Sequence, residues 1–371
     1  MTATLAQRMA RFLRSDVQGM HGYAVQPSAG MVKLDTMENP FLLPPDLRRQ
    51  LGERLAAVAL NRYPAERGDL LRAELARHAQ MPDGNDIMLG NGSDELISLL
   101  TLACAERGAG GQSNGHVILA PVPGFVMYEL SAKQHGLPFV GVALTADFEL
   151  DAEAMLAAID KHQPALVYLA YPNNPTANLW DDAVIDAIID AAPGLVVLDE
   201  AYQPFAARDS LARLARHDHV LLMRTMSKFG LAGVRIGYLI GRTALITEID
   251  KLRPPFNISV LNCETALFAL EHVDEYARQA ATIRAERGRM FEALGAFAGV
   301  TVHPSEANML LVRVPDAKRV FDGMKARKVL IKNVSALHPL LANCLRITVG
   351  TPEENTLCLA AFEAALLESA P

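Results

Sequence analysis

The sequence predicts an α/β fold, a mostly parallel sheet with helices on both faces followed by a smaller α+β unit. From about residue 86, short apolar β-type runs alternate with segments of helical period, and this βαβ rhythm is typical of parallel sheets. Runs such as "LVVL" are apolar throughout, as strands buried on both faces require. The 371 residues exceed what one core usually supports, so we expect about two domains.

The elements follow in chain order. The expected strands are "IMLG", "HVILAP", "FVGVAL", "ALVYLAYP", "LVVLDE", "HVLLMRT" and "RIGYLIG", and the helices between them are "ELISLLTLACAER", "VMYELSAKQHG", "AEAMLAAIDKH" and "DDAVIDAIIDAA". After the prolines of "KLRPPFN" come one long helical stretch from about 258 to 298, short strands and a final helix. We therefore expect an N-terminal arm and part of the small domain over 1–45, a large domain over 46–255 and a small C-terminal domain over 256–371.

Composition excludes several classes of protein. The net charge is −7, with no basic run that could follow a phosphate backbone, so we expect no nucleic-acid partner. No apolar run reaches membrane-spanning length, and the four cysteines are scattered, which indicates reduced thiols in the cytoplasm. Near the start, Leu5, Met9, Phe12 and Val17 form one amphipathic face, which favours a helical arm packed on the body over a transit peptide. The Gly/Ser-rich "GAGGQSNG" is expected to be a flexible loop.

Polar residues follow several of the predicted strands. In parallel sheets the carboxyl ends of the strands form the ligand-binding edge. Each residue alone has a structural explanation, because Asp199 could cap a helix, Asn174 could be an ordinary turn residue and Lys228 a solvated charge. Together they form a set that needs one explanation: Ser93, Asp94, Asn174, Asp199, Tyr202, Thr225, Ser227 and Lys228.

A ligand with a phosphate, a basic ring nitrogen and an aldehyde explains the set. The strand, glycine turn and helix start of "IMLGNGSDELI" point backbone N–H groups at a phosphate, assisted by Ser93, Thr225, Ser227 and Arg235. Asp199 can keep a ring nitrogen protonated, Lys228 can form a Schiff base with the aldehyde, and Phe125 can stack on the ring. The cofactor that fits is pyridoxal 5'-phosphate.

The motifs "NNPT", "DEAY" and "SKFGLAGVRIGY", in this order, resemble the fold-type-I pyridoxal-phosphate-dependent transferases, specifically the class I and II aminotransferases. "MENP", "LNRYP", "GNGSDELI" and "CLRITVGTPEEN" are similar to the histidinol-phosphate aminotransferases within that family. The resemblance covers nearly the whole chain. It implies a reversible amino transfer between L-histidinol phosphate and 2-oxoglutarate, with imidazole-acetol phosphate and L-glutamate as products.

The resemblance also implies a role for each site residue. Lys228 would bind the cofactor aldehyde, Asp199 the pyridine nitrogen, and Tyr202 with Asn174 the ring hydroxyl. Tyr63 would reach the neighbouring subunit's cofactor phosphate, which implies a homodimer. The remaining assignments are Ser93, Asp94, Thr225, Ser227 and Arg235 on the phosphate, Phe125 on the ring, and Tyr23, Asn39, Arg346 and Lys332 toward the substrates.

Two positions depart from the pattern of the family. Ala177 follows "NPT" where relatives often have glycine, so this turn must avoid positive φ or accept strain. Lys332 stands where many relatives have arginine, and an ammonium cannot make the same forked contact with an anion.

Rival functions remain open on the same fold, namely an aromatic-amino-acid aminotransferase or a threonine-phosphate decarboxylase. A cofactor-sensing regulator is disfavoured because the residues before "MENP" are too few for an ordinary DNA-binding module. A nicotinamide enzyme is disfavoured because "GNGSDE" lacks the third glycine of the dinucleotide motif. With no HExxH motif we expect no metal site.

Overall fold

The computed structural model describes residues 4–20, 26–105 and 116–368. The helices in these ranges are α1 Leu5–Phe12, α2 Ser15–Gln18, α3 Pro45–Ala56, α4 Ala65–His78, α5 Ser93–Ala103, α6 Met127–His135, α7 Ala152–His162, α8 Asp182–Ala191, α9 Arg213–Arg216, α10 Thr243–Asp250, α11 Val260–Glu271, α12 Val273–Gly295, α13 Ala317–Ala326 and α14 Pro352–Glu368. The strands are β1 Val32–Lys33, β2 Asn85–Gly90, β3 Ile118–Val122, β4 Phe139–Ala143, β5 Leu166–Ala170, β6 Leu195–Asp199, β7 Val220–Thr225, β8 Gly237–Arg242, β9 Thr301–Val302, β10 Met309–Arg313, β11 Val329–Leu330, β12 Lys332–Asn333 and β13 Cys344–Thr348. Tyr23 and the predicted loop "GAGGQSNG" lie outside the described residues.

A seven-stranded sheet of order β2-β8-β7-β6-β5-β3-β4 forms the large unit of the described chain. All neighbouring strands pair in parallel except where β8 meets β7 and β2, so the predicted mostly parallel sheet is confirmed. Alternate residues of one strand face opposite sides. Val196 and Leu198 join the apolar cluster beneath α7, α8 and α11, whereas Val197 joins the cluster beneath α5 and α6. Burial on both faces is the reason that "LVVL" is apolar throughout.

The C-terminal unit is built around an antiparallel sheet of order β12-β13-β10-β9. Strand β1, near the N-terminus, pairs in parallel with β11, so the chain segment around Val32 lies against this unit. The helical stretch expected from about 258 to 298 consists of two helices, α11 and α12, which meet at His272. The domain division 1–45, 46–255 and 256–371 stays a prediction.

The N-terminal amphipathic segment is helical, but its apolar side chains are not covered by the rest of the chain. Leu5 and Phe12 are 73% and 71% exposed. This segment contacts the large unit through Arg14, whose guanidinium donates to the carbonyl of Gln134 at 2.6 Å. The expectation that this face packs on the body of its own chain is therefore wrong. None of the helices in the described ranges is long and apolar enough to cross a bilayer.

Candidate active site

A cup of polar groups lies where β2, β7 and β8 meet the start of α5. Helix α5 begins at Ser93, directly after Gly92, and its first N–H groups have no partners within the helix. Arg235 donates to Ser227 Oγ at 3.3 Å and lies 3.3 Å from Asp94 Oδ2. The hydroxyls of Thr225 and Ser227 are 3.1 Å apart. The five predicted phosphate residues are thus brought together, and the helix dipole adds to the positive potential there.

Gly92 shapes this cup by its lack of a side chain. Its φ is +80°, and a Cβ built on it would lie 2.4 Å from Nη2 of Arg235. The positive φ favours glycine, and any side chain here would also displace the Arg235 guanidinium from the cup. Arg235 itself has φ +55° at the end of its turn, a conformation that costs a non-glycine residue free energy and is often found at functional sites.

Asp199 ends β6 as a buried carboxylate. The Tyr128 hydroxyl donates to its Oδ2 at 2.7 Å, and the Ala201 N–H donates to its Oδ1 at 3.1 Å. Burial raises the pKa of Asp199 to about 6, and the two donors only partly offset this. A buried anion in this state is stabilised by any cation placed beside it. Tyr128 was not predicted from the sequence, although it lies only three residues after Phe125, in the first turn of α6.

Lys228 lies in a π-helical turn, Ser227–Leu231, that follows β7. Its side chain is partly buried, and Nζ donates to the carbonyl of Thr36 at 2.9 Å. Burial lowers the pKa of Lys228 to about 8, and the nearby charge of Arg346 acts in the same direction. The amine is therefore much closer to its nucleophilic free-base form at neutral pH than a solvated lysine is. Gly230, with φ +141°, lets this turn lie close to the ring of Tyr276.

A chain of hydrogen bonds joins the two units across the site. Asn174 donates to the hydroxyl of Tyr202 at 3.0 Å, and Arg346 donates to Asn174 Oδ1 at 2.7 Å. Arg346 also donates to the carbonyl of Asp35 at 2.8 Å. Lys332 lies opposite Arg346 in the β12–β13 register and is partly exposed. The predicted ring-hydroxyl pair and the predicted substrate arginine are therefore in direct contact.

Phe125 and Tyr63 occupy very different surroundings. Phe125 is half-buried, and its ring meets the ring of Tyr128 edge-on at 5.6 Å, close to the Asp199 carboxylate. Tyr63 is 77% exposed and stacks on Phe256 with ring centroids 4.5 Å apart. The first is part of the cleft, whereas the second faces away from the chain.

Asn39 lies beside the lysine turn. Its amide donates to the carbonyl of Phe229 at 3.3 Å and to Gln279 at 3.0 Å, and it accepts from the Phe41 N–H at 2.9 Å. Asn39 thus joins the N-terminal segment to the turn that carries Lys228. In the described residues no group of three or more His, Cys, Asp or Glu side chains is arranged to hold a metal ion.

Ala177 has φ +65° and is fully buried. Of the two outcomes expected for the turn after "NPT", the structure has the strained one. The conformation is held by hydrogen bonds from the Ala177 N–H to the Asn173 carbonyl at 2.9 Å and from the Glu306 N–H to the Ala177 carbonyl at 2.7 Å.

The model of the family "Aminotransferase class I and II" matches residues 29–362 of this chain. The chain belongs to the class I and II aminotransferase family. A histidinol-phosphate aminotransferase from Methylibium petroleiphilum is 68% identical to this aminotransferase. The match covers 98% of the present chain and 96% of the relative. One from Polaromonas naphthalenivorans is 62% identical over 98% and 99% of the two chains.

Solved structures give the same fold. The histidinol-phosphate aminotransferase from Sinorhizobium meliloti, in complex with pyridoxal 5'-phosphate, is similar with a TM-score of 0.84 and 27% identity, over 97% of this aminotransferase and 99% of that chain. The histidinol-phosphate aminotransferase from Clostridium acetobutylicum has a TM-score of 0.80 at 22% identity, over 91% and 99% of the chains.

The site of this aminotransferase fits the pyridoxal phosphate on which its family depends. The cup around Gly92 has the N–H groups, hydroxyls and guanidinium that a phosphate needs. Among the residues that the structure describes, the buried Asp199 carboxylate has no ion-pair partner, and it would gain one from a protonated ring nitrogen. The partly buried Lys228 amine can react with an aldehyde. The phosphate cup, the carboxylate and the amine follow different strands and lie at one edge of the sheet.

Proposed function

We propose that this chain is a histidinol-phosphate aminotransferase that acts in histidine biosynthesis in the cytoplasm. It would move the amino group reversibly between L-histidinol phosphate and 2-oxoglutarate, giving imidazole-acetol phosphate and L-glutamate. The observation that carries the proposal is the partly buried Lys228 amine on the same sheet edge as the buried Asp199 and the phosphate cup. The names of the relatives at 68% and 62% identity support this substrate pair.

Pyridoxal phosphate supplies an electron sink for the carbanion that forms when the substrate loses its α-proton. The residues of the chain do the rest. Asp199 holds a proton on the ring nitrogen by charge, and its burial strengthens that pairing. Lys228 accepts the proton from the substrate α-carbon and returns it as a general acid, a role for which an amine with a pKa of about 8 is suited at neutral pH.

Arg346 is the proposed anchor for substrate anions. It is the charged group of the C-terminal unit that reaches Asn174 at the sheet edge. Its Nη1 donates to Asn174 and its Nη2 to the Asp35 carbonyl, and a guanidinium can exchange such neutral acceptors for the charged oxygens of a carboxylate or a phosphate. Lys332 is proposed to assist from the neighbouring strand as a point charge. Tyr23 and Asn39 stay proposed substrate residues on the resemblance alone.

The proposed active form is a homodimer in which Tyr63 completes the neighbouring site. Tyr63 is exposed and stacks on the exposed Phe256, and Leu42 and Leu60 are 77% and 69% exposed. Apolar side chains of this size are usually covered in a working assembly. The uncovered face of α1 supports the same proposal.

The test is a half-reaction in which one substrate is added to the purified holoenzyme. L-histidinol phosphate should shift the absorbance of the bound cofactor from its aldehyde band to its amine band, and L-glutamate should do the same. Lys228→Ala should lose this conversion by orders of magnitude, while the matched surface variant Lys251→Ala should keep it, since Lys251 is an exposed lysine that pairs with Glu248 on the same helix end. Conversion by L-phenylalanine and not by L-histidinol phosphate would overturn the substrate assignment.

A further inference from the structure

A small charged cluster lies at the mouth of the site, on the segment that follows β1. Lys33 pairs with the Glu38 carboxylate and with the Thr36 hydroxyl, and it lies 3.5 Å from Asp35 Oδ1. The Thr36 carbonyl accepts from Lys228 at 2.9 Å. The proposed catalytic amine and the Glu38 carboxylate are therefore held by the same short stretch of chain.

This cluster contains two carboxylates for one ammonium. Asp35 is buried, and its Oδ1 atom has no hydrogen-bond partner among the described residues, so it depends on the charge of Lys33. Glu38 is 46% exposed, and only its Oε2 atom is paired with Lys33. Burial opposes ionisation of Glu38, but its contacts with Lys33 outweigh it and lower the pKa of this carboxyl. An ionised, partly exposed carboxylate thus lies two residues after the Thr36 carbonyl that accepts from Lys228.

We infer that Glu38 determines substrate choice by accepting a hydrogen bond from the imidazole ring of histidinol phosphate. The inference rests on the proposed function. The substrate has an anionic end, for which Arg346 and Lys332 are the proposed partners, and a ring that carries an N–H donor. Glu38 is an exposed carboxylate within the same segment as the Lys228 contact, so it can meet the ring while the reacting carbon lies at the lysine.

The same residue argues against the rival aromatic substrates. The ring of phenylalanine has no N–H donor, so binding it would desolvate the half-exposed Glu38 carboxylate while giving it no new partner beside Lys33. A site that hydrogen-bonds one substrate rejects an analogue that lacks the donor far better than a purely apolar pocket does. Glu38 therefore selects an imidazole over a benzene ring, whereas it offers nothing to glutamate.

The test compares Glu38→Gln and Glu38→Leu with the wild-type holoenzyme. In both variants kcat/KM for the L-histidinol phosphate half-reaction should fall about tenfold or more, the size of one hydrogen bond to a charged group, with the larger loss in Glu38→Leu. The L-glutamate half-reaction should stay within about twofold, because its substrate does not use the contact. The matched control is Glu53→Gln, an exposed glutamate on α3 paired with Arg49, which should change neither.

Binding without turnover gives a second measurement. Imidazole-acetol phosphate, which has no amine to transfer, should bind the aldehyde form of Glu38→Leu about tenfold more weakly than the wild type by calorimetry, with 2-oxoglutarate unchanged. Equal losses for both substrates, or none for histidinol phosphate, would overturn the role of Glu38 and leave the proposed function standing. A wild-type enzyme that ignores histidinol phosphate would instead overturn the proposed function itself.

Discussion

Replacing Asp199 by asparagine should affect stability and chemistry in opposite directions. Burial raises the pKa of Asp199 from 3.8 to about 6, so the folded protein binds this proton more tightly than the unfolded chain does. The free energy of unfolding must then fall as pH rises from about 4 to about 6. Above that range the cofactor-free protein carries the full cost of a buried carboxylate without a cation.

The magnitude follows from the shift. About two pKa units at roughly 1.4 kcal/mol per unit give a cost of about 3 kcal/mol at pH 8, as an order of magnitude. Asparagine has nearly the same shape. Its one oxygen can accept from the Ala201 N–H, and its amide NH2 can donate to the Tyr128 oxygen, whose hydroxyl hydrogen is free to rotate away. Cofactor-free Asp199→Asn should therefore unfold at higher temperature than the wild type at pH 8, and the gap should close near pH 4.

Thermal unfolding of both cofactor-free proteins between pH 4 and pH 8 measures this gap. Asp182→Asn is a matched control, for which the change in unfolding temperature at pH 8 should have the opposite sign. Asp182 is paired with Arg213 at 3.0 Å, and the pKa of this carboxyl is lowered in spite of partial burial. With the cofactor added, Asp199→Asn should lose amino transfer by orders of magnitude, since a neutral amide cannot hold the ring proton. A wild type that is more stable than Asp199→Asn at pH 8 would refute the reasoning.

The other predictions concern the cup, the lysine and the dimer. Gly92→Ala puts a Cβ 2.4 Å from the Arg235 guanidinium at φ +80°, so pyridoxal phosphate should bind at least about tenfold more weakly in a fluorescence titration, while phosphate-free pyridoxal should be unaffected. Arg346→Gln removes a charge that lowers the pKa of Lys228, so the rate at which the cofactor-free protein captures pyridoxal should reach its midpoint above pH 8. Tyr63→Ala should leave folding intact and weaken the dimer in sedimentation runs; an unchanged sedimentation profile together with unchanged cofactor affinity would contradict its proposed place at the interface.

Much of the site could be predicted because the sheet itself brings it together. Parallel strands end at the same edge, so an acid after "LVVL" and a lysine after "HVLLMRT" must lie near each other once both runs are recognised as strands. Strands β6 and β7 are direct neighbours, which places Asp199 opposite Met223 and close to Thr225. The phosphate-binding role of the glycine turn before Ser93 could be predicted as well, because the backbone N–H groups at a helix start can bind an anion whatever the side chains are.

The residues that the sequence did not reveal act across long distances. Thr36 holds Lys228 through a backbone carbonyl, which any residue type supplies, and the two positions are 192 residues apart. Tyr128 was not predicted for another reason. Its position on α6 is typical of an ordinary core aromatic residue, and its ring is stacked on that of Tyr168 with centroids 4.3 Å apart. Its hydroxyl, however, is also the donor to Asp199.

The turn at Ala177 shows how the C-terminal unit helps to set the geometry of the site. A left-handed alanine costs roughly 1–2 kcal/mol relative to its ordinary conformation, and local sequence alone would place glycine there. The Glu306 N–H, which lies just before β10, donates to the Ala177 carbonyl, and the side chain is fully buried. These contacts offset the strain and fix the same turn that aims Asn174 at Tyr202 and Arg346. The position of Asn174, the proposed contact to the cofactor ring, therefore depends on residues more than a hundred positions downstream, which no local pattern around "NNPT" could encode.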